Sequence, residues 1–246
     1  MFKPAALTVL SSLVLAATPA IAQSEGFKGD MGGMVTQASA LVSGASAQTG
    51  VLPYVYGDWG RFYGRVDTFG VRTVAMGNGH LELAARVSTE GYEGRKTAYP
   101  ALGDRRSPLP IGLGTFQRTP VGGVFAYLMH DPQSGGQFAE LTWAGQFSVG
   151  TATFYPQLGA QYRSSAYVNH LYGVSATEAA ATGLSAYRAG SSLVPQATLH
   201  MTLPLSGSWS LQVQARHRWL DNAIQDSPLV QGKTQTTGLL ALTYAL

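Results

Sequence analysis

A 246-residue chain that is 45% hydrophobic, only 12% charged and formally +3 carries half the charge of an average globular domain, about 25%, so much of its surface does not face water. A mean hydropathy of +0.04 equally excludes a bundle of apolar helices, so the apolar residues must occupy one face of each element. The absence of cysteine excludes disulfides, thiol catalysis and cysteine-based metal sites, and the singly scattered arginines argue against nucleic-acid binding.

The N-terminus reads as an export signal. Lys3 supplies the positive charge, Ala5 to Ala17 an apolar run of 13 residues, and Pro19 a break before Ala20-Ile21-Ala22. A membrane-spanning helix needs about 20 residues, so cleavage between Ala22 and Gln23 is expected. Residues 1–22 are then a signal peptide and 23–246 one domain.

Strands are read from period-two alternation, which makes one face apolar and the other polar. Segments 26–37 and 49–57 form a first pair, although 29–50 is rich in Gly, Ala and Ser. Segments 61–67 and 69–76 read as a short hairpin. Counting them gives twelve strands; an inward fold of 60–76 gives ten. Both numbers are even, as bacterial single-chain barrels require. Strands follow at 80–91, 108–117, 121–130, 137–149 and 152–163. In the last of these Phe154, Leu158 and Tyr162 oppose Thr153, Gln157 and Arg163.

Loop 164–192 contains Ser175-Ala176-Thr177-Glu178, a capping box that predicts a helix over 176–182 ended by Gly183. Such a helix either stiffens the loop or binds a partner. Strands resume at 193–205, 208–221 and 234–246. In 208–221 Trp209, Leu211, Val213 and Trp219 oppose Gln212, Gln214, Arg216 and Arg218; in the last strand Leu239 breaks the pattern. Trp209 and Trp219 lie about 33 Å apart along an extended strand. A tilt of about 40° reduces that to about 25 Å, the separation of the two aromatic girdles of a membrane barrel. Short connections (77–79, 119–120, 150–151, 206–208) alternate with long ones (91–107, 131–136, 164–192, 222–233). The expectation is an all-β, antiparallel, up-and-down transmembrane barrel, with short periplasmic turns and longer extracellular loops.

The stretch from Tyr172 to Tyr187, YGVSATEAAATGLSAY, resembles the signature segment of the MipA/OmpV family of outer-membrane proteins. Leu52-Pro-Tyr-Val-Tyr56, Gly103-Asp104, Tyr155-Pro-Gln-Leu-Gly159 and Asp226-Ser-Pro-Leu-Val230 extend the resemblance in the family's order over most of the chain. It implies an outer-membrane barrel in contact with lipid. It further implies a scaffold joining a lytic transglycosylase to a bifunctional murein polymerase during peptidoglycan growth. One departure is Leu246, where barrel chains end in Phe, which implies weaker recognition by the assembly machinery.

Charged residues on the polar faces belong inside, because an arginine at the bilayer midplane costs about 2–4 kcal/mol. Arg61, Arg65, Arg72, Arg86, Arg163, Arg216 and Arg218, with Asp67, Glu82 and Glu140, are therefore placed in the lumen. They form either an ion-paired plug or the lining of a narrow pore whose arginine excess favours anions. No nucleophile elbow, zinc-protease motif or phosphate loop is present, the five histidines are isolated, and neither cofactor nor enzymatic activity is expected. His200 beside Glu140 or Glu82 would be the one acid–base pair for a barrel hydrolase; a lumen hydrogen bond is the simpler reading.

Overall fold

Alternating strands satisfy their backbone groups in lipid only by pairing side by side and closing into a ring. The computed structural model, which describes residues 26–246, has this arrangement. The expected signal peptide and the Ala22–Gln23 cleavage site lie outside the described residues. The strands are β1 (Lys28–Ala38), β2 (Gln48–Trp59), β3 (Phe62–Arg65), β4 (Thr68–Met76), β5 (Gly79–Arg86) and β6 (Ile111–Thr119). They continue with β7 (Gly122–Asp131), β8 (Gly136–Ala144, prolonged past Gly145-Gln146 by Phe147–Val149), β9 (Ala152–Arg163), β10 (Ser192–Pro204), β11 (Trp209–Trp219) and β12 (Thr234–Ala245). Each pairs antiparallel with its chain neighbours, and β12 returns to β1 with Asp30 opposite Ala245 and Ala38 opposite Thr237, closing a twelve-stranded barrel. At that seam Gly32 is obligatory: a Cβ there would lie 2.0 Å from the Leu242 carbonyl oxygen. Among the described residues no helix is long and apolar enough to cross a membrane.

The two faces of the wall are opposite in chemistry. Leu128, Leu141 and Leu158 are 60–64% exposed on the outside, while Glu82, Gln161, Gln212 and Thr243 are buried within. A water-soluble sandwich would reverse that order. Aromatic pairs Trp59–Phe62, Phe147–Phe154 and Trp209–Tyr244, with rings 5.2–6.2 Å apart, ring the end of the barrel that carries the short turns. Three of those turns open on a glycine near φ +58° (Gly60, Gly77, Gly150), a backbone shape that matches the twist of the flanking strands.

Several expected boundaries shift. The strand expected over 80–91 stops at Arg86, and 61–67 shortens to Phe62–Arg65. β4 carries a bulge between Arg72 and Val74. The bulge lets Arg72 face Glu82 inside while Val74, two residues on and 58% exposed, faces outward beside Leu81.

The outer end is capped. Helices α1 (Ser165–Tyr172), α2 (Ala176–Thr182) and α3 (Asn222–Gln225) pack with segments 39–47 and 87–110. Tyr167, Val168, Leu171 and Tyr172 of α1 are buried against Phe138 of the wall and Ile224 of α3.

Candidate functional site: the lumen and its outer cap

Beneath the cap, charged and amide side chains join into a belt across the lumen. Arg218 Nη1 donates to Glu90 Oε1, and Arg163 Nη2 donates to the same oxygen at 2.9 Å. Arg163 also donates to Gln161 Oε1 at 2.9 Å, and Gln161 Nε2 donates to Glu140 Oε2 at 2.8 Å. Arg86 Nη1 reaches Glu140 at 2.7 Å, and its Nε donates to Thr68 Oγ1 at 3.0 Å. The Arg86 guanidinium lies 5.0 Å from the Tyr127 ring and 5.1 Å from Phe138. The belt thus runs from β11 through the 87–110 loop to β9, β8, β5 and β4. Burial penalises each charge, and the mutual pairing offsets that penalty only while every partner is present. At Glu90 burial pushes the pKa up, but the facing Arg163 and Arg218 outweigh it and hold the carboxyl at about 2.

A second cluster lies toward the periplasmic end. Asp58 Oδ1 accepts from Arg65 Nη2 at 2.7 Å and from Arg72 Nη2 at 2.6 Å. Glu82, almost fully buried, lies 2.8 Å from His80 Nε2. Nearer the outer belt, Asp67 at the β3–β4 tip lies 3.8 Å from Arg216 Nη1. Of the residues expected in the lumen, Arg61 is a correction. It is exposed in the Gly60-Arg61 turn, because β2 runs on to Trp59 and β3 starts only at Phe62. Asp30, Asp58 and Glu90 face the lumen without having been expected there. The lining holds Arg65, Arg72, Arg86, Arg118, Arg163, Arg216 and Arg218, seven cations. Against them stand Asp30, Asp58, Asp67, Glu82, Glu90 and Glu140, six carboxylates. The expected arginine excess shrinks to one charge. His200 Nε2 lies 3.0 Å from Gln212 Oε1, while Glu140 and Glu82 are taken by Arg86 and His80, so the conceivable acid–base pair does not assemble. No group of three or more His, Cys, Asp or Glu side chains gathers to hold a metal among the described residues.

A family model described as MltA-interacting protein MipA matches residues 31–246. The chain belongs to the MltA-interacting protein (MipA) family. It is 31% identical over 147 residues to the MltA-interacting protein of Escherichia coli (strain K12), a match that covers 58% of this chain and 58% of that relative's length. It is 24% identical to the YiaT protein of the same organism over 82% of this chain and 84% of YiaT. It is 26% identical to the outer membrane protein OmpV of Vibrio cholerae over 53% and 51% of the two chains. Barrel architecture and relatives together place this MipA-family chain in the outer membrane.

Three of the five family-like pieces converge on the cap, while Leu52–Tyr56 and Tyr155–Gly159 lie in the wall strands β2 and β9. In the Tyr172–Tyr187 stretch, Ser175 Oγ accepts from Glu178 N–H at 3.3 Å, Glu178 Oε2 accepts from Ser175 N–H at 3.0 Å, and Gly183 ends α2 at φ +74°. Glu178 is also bound at 2.7 Å by Arg105. Burial raises its pKa, but the Ser175 N–H, Arg105 and the Ser175 hydroxyl hold it at about 2. Asp104 accepts from Gly94 N–H at 2.9 Å, and Ser227 Oγ donates to the Tyr172 carbonyl at 2.7 Å. Leu102, Val174 and Leu229 then pack as one small core, so the 103–104, 172–187 and 226–230 pieces build a single unit over the barrel mouth.

Proposed function

We propose that this barrel is an outer-membrane scaffold that gathers peptidoglycan-cleaving and peptidoglycan-synthesising enzymes, a lytic transglycosylase and a bifunctional murein polymerase, and has no catalytic role of its own. The observation that supports a scaffold over a channel is the belt from Arg218 through Glu90, Arg163 and Gln161 to Glu140 and Arg86 beneath a packed cap. Buried ion pairs that join strands across the lumen narrow the path beneath the cap, which supports a barrel that does not conduct. The family's descriptive name supports the choice of partner. Four of the periplasmic turns hold two residues and the fifth, 205–208, holds four, so partners would meet the barrel rim rather than a projecting loop.

The second reading is a narrow pore, favoured by a cavity of about 920 Å³ that runs from beneath the cap to the periplasmic turns. The near balance of lumen charges gives such a pore little anion preference.

Affinity capture from a detergent-solubilised envelope tests the scaffold. The expected result is recovery of a lytic transglycosylase and a murein polymerase with the tagged barrel, together with no steady current in planar bilayers. A folded barrel that captures neither enzyme and carries a stable current would replace this reading with the pore.

A further inference from the structure

We propose that the barrel wall carries a side portal between the outer half of β2 and the strap 87–91, and that a long-chain fatty carboxylate enters it from the outer leaflet. β3 is only four residues long and pairs with β2 from Tyr56 to Trp59. Val66 N–H still donates to the Val55 carbonyl at 2.9 Å, and beyond that point the ladder on this side of β2 stops. The register with β1 is continuous, so the backbone groups of Val51 and Pro53 point the same way as the Val55 carbonyl, into the gap. Among the described residues no hydrogen bond reaches the Val51 N–H or the Val51 and Pro53 carbonyls. Pro53 brings no N–H to this edge, where strands tolerate proline. The strap frames the far side: Val87 N–H donates to the Asp67 carbonyl at 2.8 Å, and Gln48 Nε2 donates to the Gly91 carbonyl at 3.0 Å.

The gap lies at acyl-chain depth. Trp59 marks the periplasmic girdle on β2, and the two girdles of β11 are ten residues apart, which puts the outer girdle of β2 near Thr49. Val51, 80% exposed, falls inside that band. Unpaired backbone groups are expensive at such a depth, so the opening is a built feature rather than a frayed end.

Behind the gap the inner face changes from polar to apolar. Met34, Tyr54, Leu239 and Ala241 form a buried patch with Val66 packed on it. Leu239 is the residue that breaks the alternation of the last strand. Val66 sits at φ +65° in a γ-turn closed by Asp67 N–H donating to the Arg65 carbonyl at 2.8 Å. That conformation is strained for a β-branched side chain, and strain of this kind concentrates at ligand clamps. The 920 Å³ cavity touches Met34, Leu52, Tyr54 and Val66 from within and is large enough for a small-molecule ligand. Arg216 lines the same cavity. It approaches Asp67, the neighbour of Val66, only to 3.8 Å, and its Nε is buried without a partner. A carboxylate head suits that guanidinium, with the alkyl tail lying over the Val66 sill toward lipid.

The test uses the full barrel in phospholipid nanodiscs, irradiated with palmitate that carries a terminal diazirine, and maps the cross-links by mass spectrometry. Labelling should concentrate on 49–55 and 66–67 and be competed by unlabelled palmitate. Arg216→Gln should reduce it about tenfold, a difference of about 1.4 kcal/mol, while leaving labelling by the methyl ester of the same probe unchanged. Leu239→Gln should reduce both probes alike. Cross-links spread evenly around the lipid-facing belt, or indifferent to competition, would overturn the portal. Equal labelling of the native barrel and a folded Arg216→Gln barrel would overturn the carboxylate head.

Discussion

Glu90→Gln asks whether charge holds the outer plug together. The substitution keeps the side chain's size and leaves Arg163 and Arg218, 3% and 13% exposed, facing each other without a counter-charge. A carboxyl held at about 2 instead of 4.5 corresponds to about 3 kcal/mol of stabilisation at neutral pH. Removing one partner from a buried ionic group independently costs about 3–5 kcal/mol. The two routes agree on a loss of about 3–5 kcal/mol. Because the folded pKa is depressed, the contribution is complete above the unfolded value of 4.5 and is lost as pH falls through about 2. Urea unfolding of the refolded barrel in detergent, followed by the fluorescence of its four tryptophans, reads the effect. At neutral pH the midpoint should fall by about 1–5 M for ordinary urea slopes of about 1–3 kcal/mol/M. At pH 2 the native barrel and the variant should converge. Adding Arg218→Met to Glu90→Gln should recover part of the loss, since the orphaned cation is what costs. An unchanged midpoint at neutral pH, or a gap that persists at pH 2, would refute the reasoning.

Three further outcomes follow from the same geometry. Leu158→Arg, on the outer face at the middle of β9 and 60% exposed, should destabilise the barrel in lipid vesicles by about 2–4 kcal/mol; Gln157→Arg, one residue away on the inner face, should cost less in the same urea titration. Gly32→Val should prevent closure of the β1–β12 seam, since its Cβ would meet the Leu242 carbonyl oxygen at 2.0 Å, and the heat-modifiable band of the folded barrel should vanish from gels. The depressed Glu178 carboxyl stabilises the cap above pH 4.5 and releases it as pH falls through about 2. Pepsin should therefore begin to cut the 171–187 stretch within that window, and should cut Glu178→Gln already at pH 4.5.

The wall was legible in the sequence because a membrane barrel repeats one local rule in every strand. That rule carried the side of the wall on which Arg216 and Leu158 lie, and left the strand number at twelve or ten until the pairing of Phe62–Arg65 with β2 and β4 decided for twelve. Strand ends were not legible, since alternation persists into segments that leave the ladder. Residues 87–91 keep the pattern of β5 but turn inward as a strap. Glu90 shares a face with Glu82 and Arg86, so its inward side was readable. Its partners Arg163 and Arg218 lie 73 and 128 residues away, and no local signal announces them. Arg61 was misplaced because a two-residue turn and a strand start differ by a single position. In the cap, α2 was readable through its capping box. The cap of α1 makes no side-chain hydrogen bond, so that helix, buried through Val168 and Leu171, is fixed by packing that only the folded chain supplies. The charge balance of the lumen depended on Asp30, Asp58 and Glu90, acids whose neighbours carry no motif.

The central claim is that successive side chains of each strand face hydrocarbon and lumen in turn. The chain has no cysteine, so single cysteines placed from Ser210 to Arg218 and spin-labelled in liposomes test it directly. Oxygen accessibility should peak at positions 211, 213, 215 and 217, and accessibility to a water-soluble nickel chelate at the even positions, the two out of phase with period two. Accessibilities that rise and fall together, or oxygen maxima at Arg216 and Arg218, would contradict it.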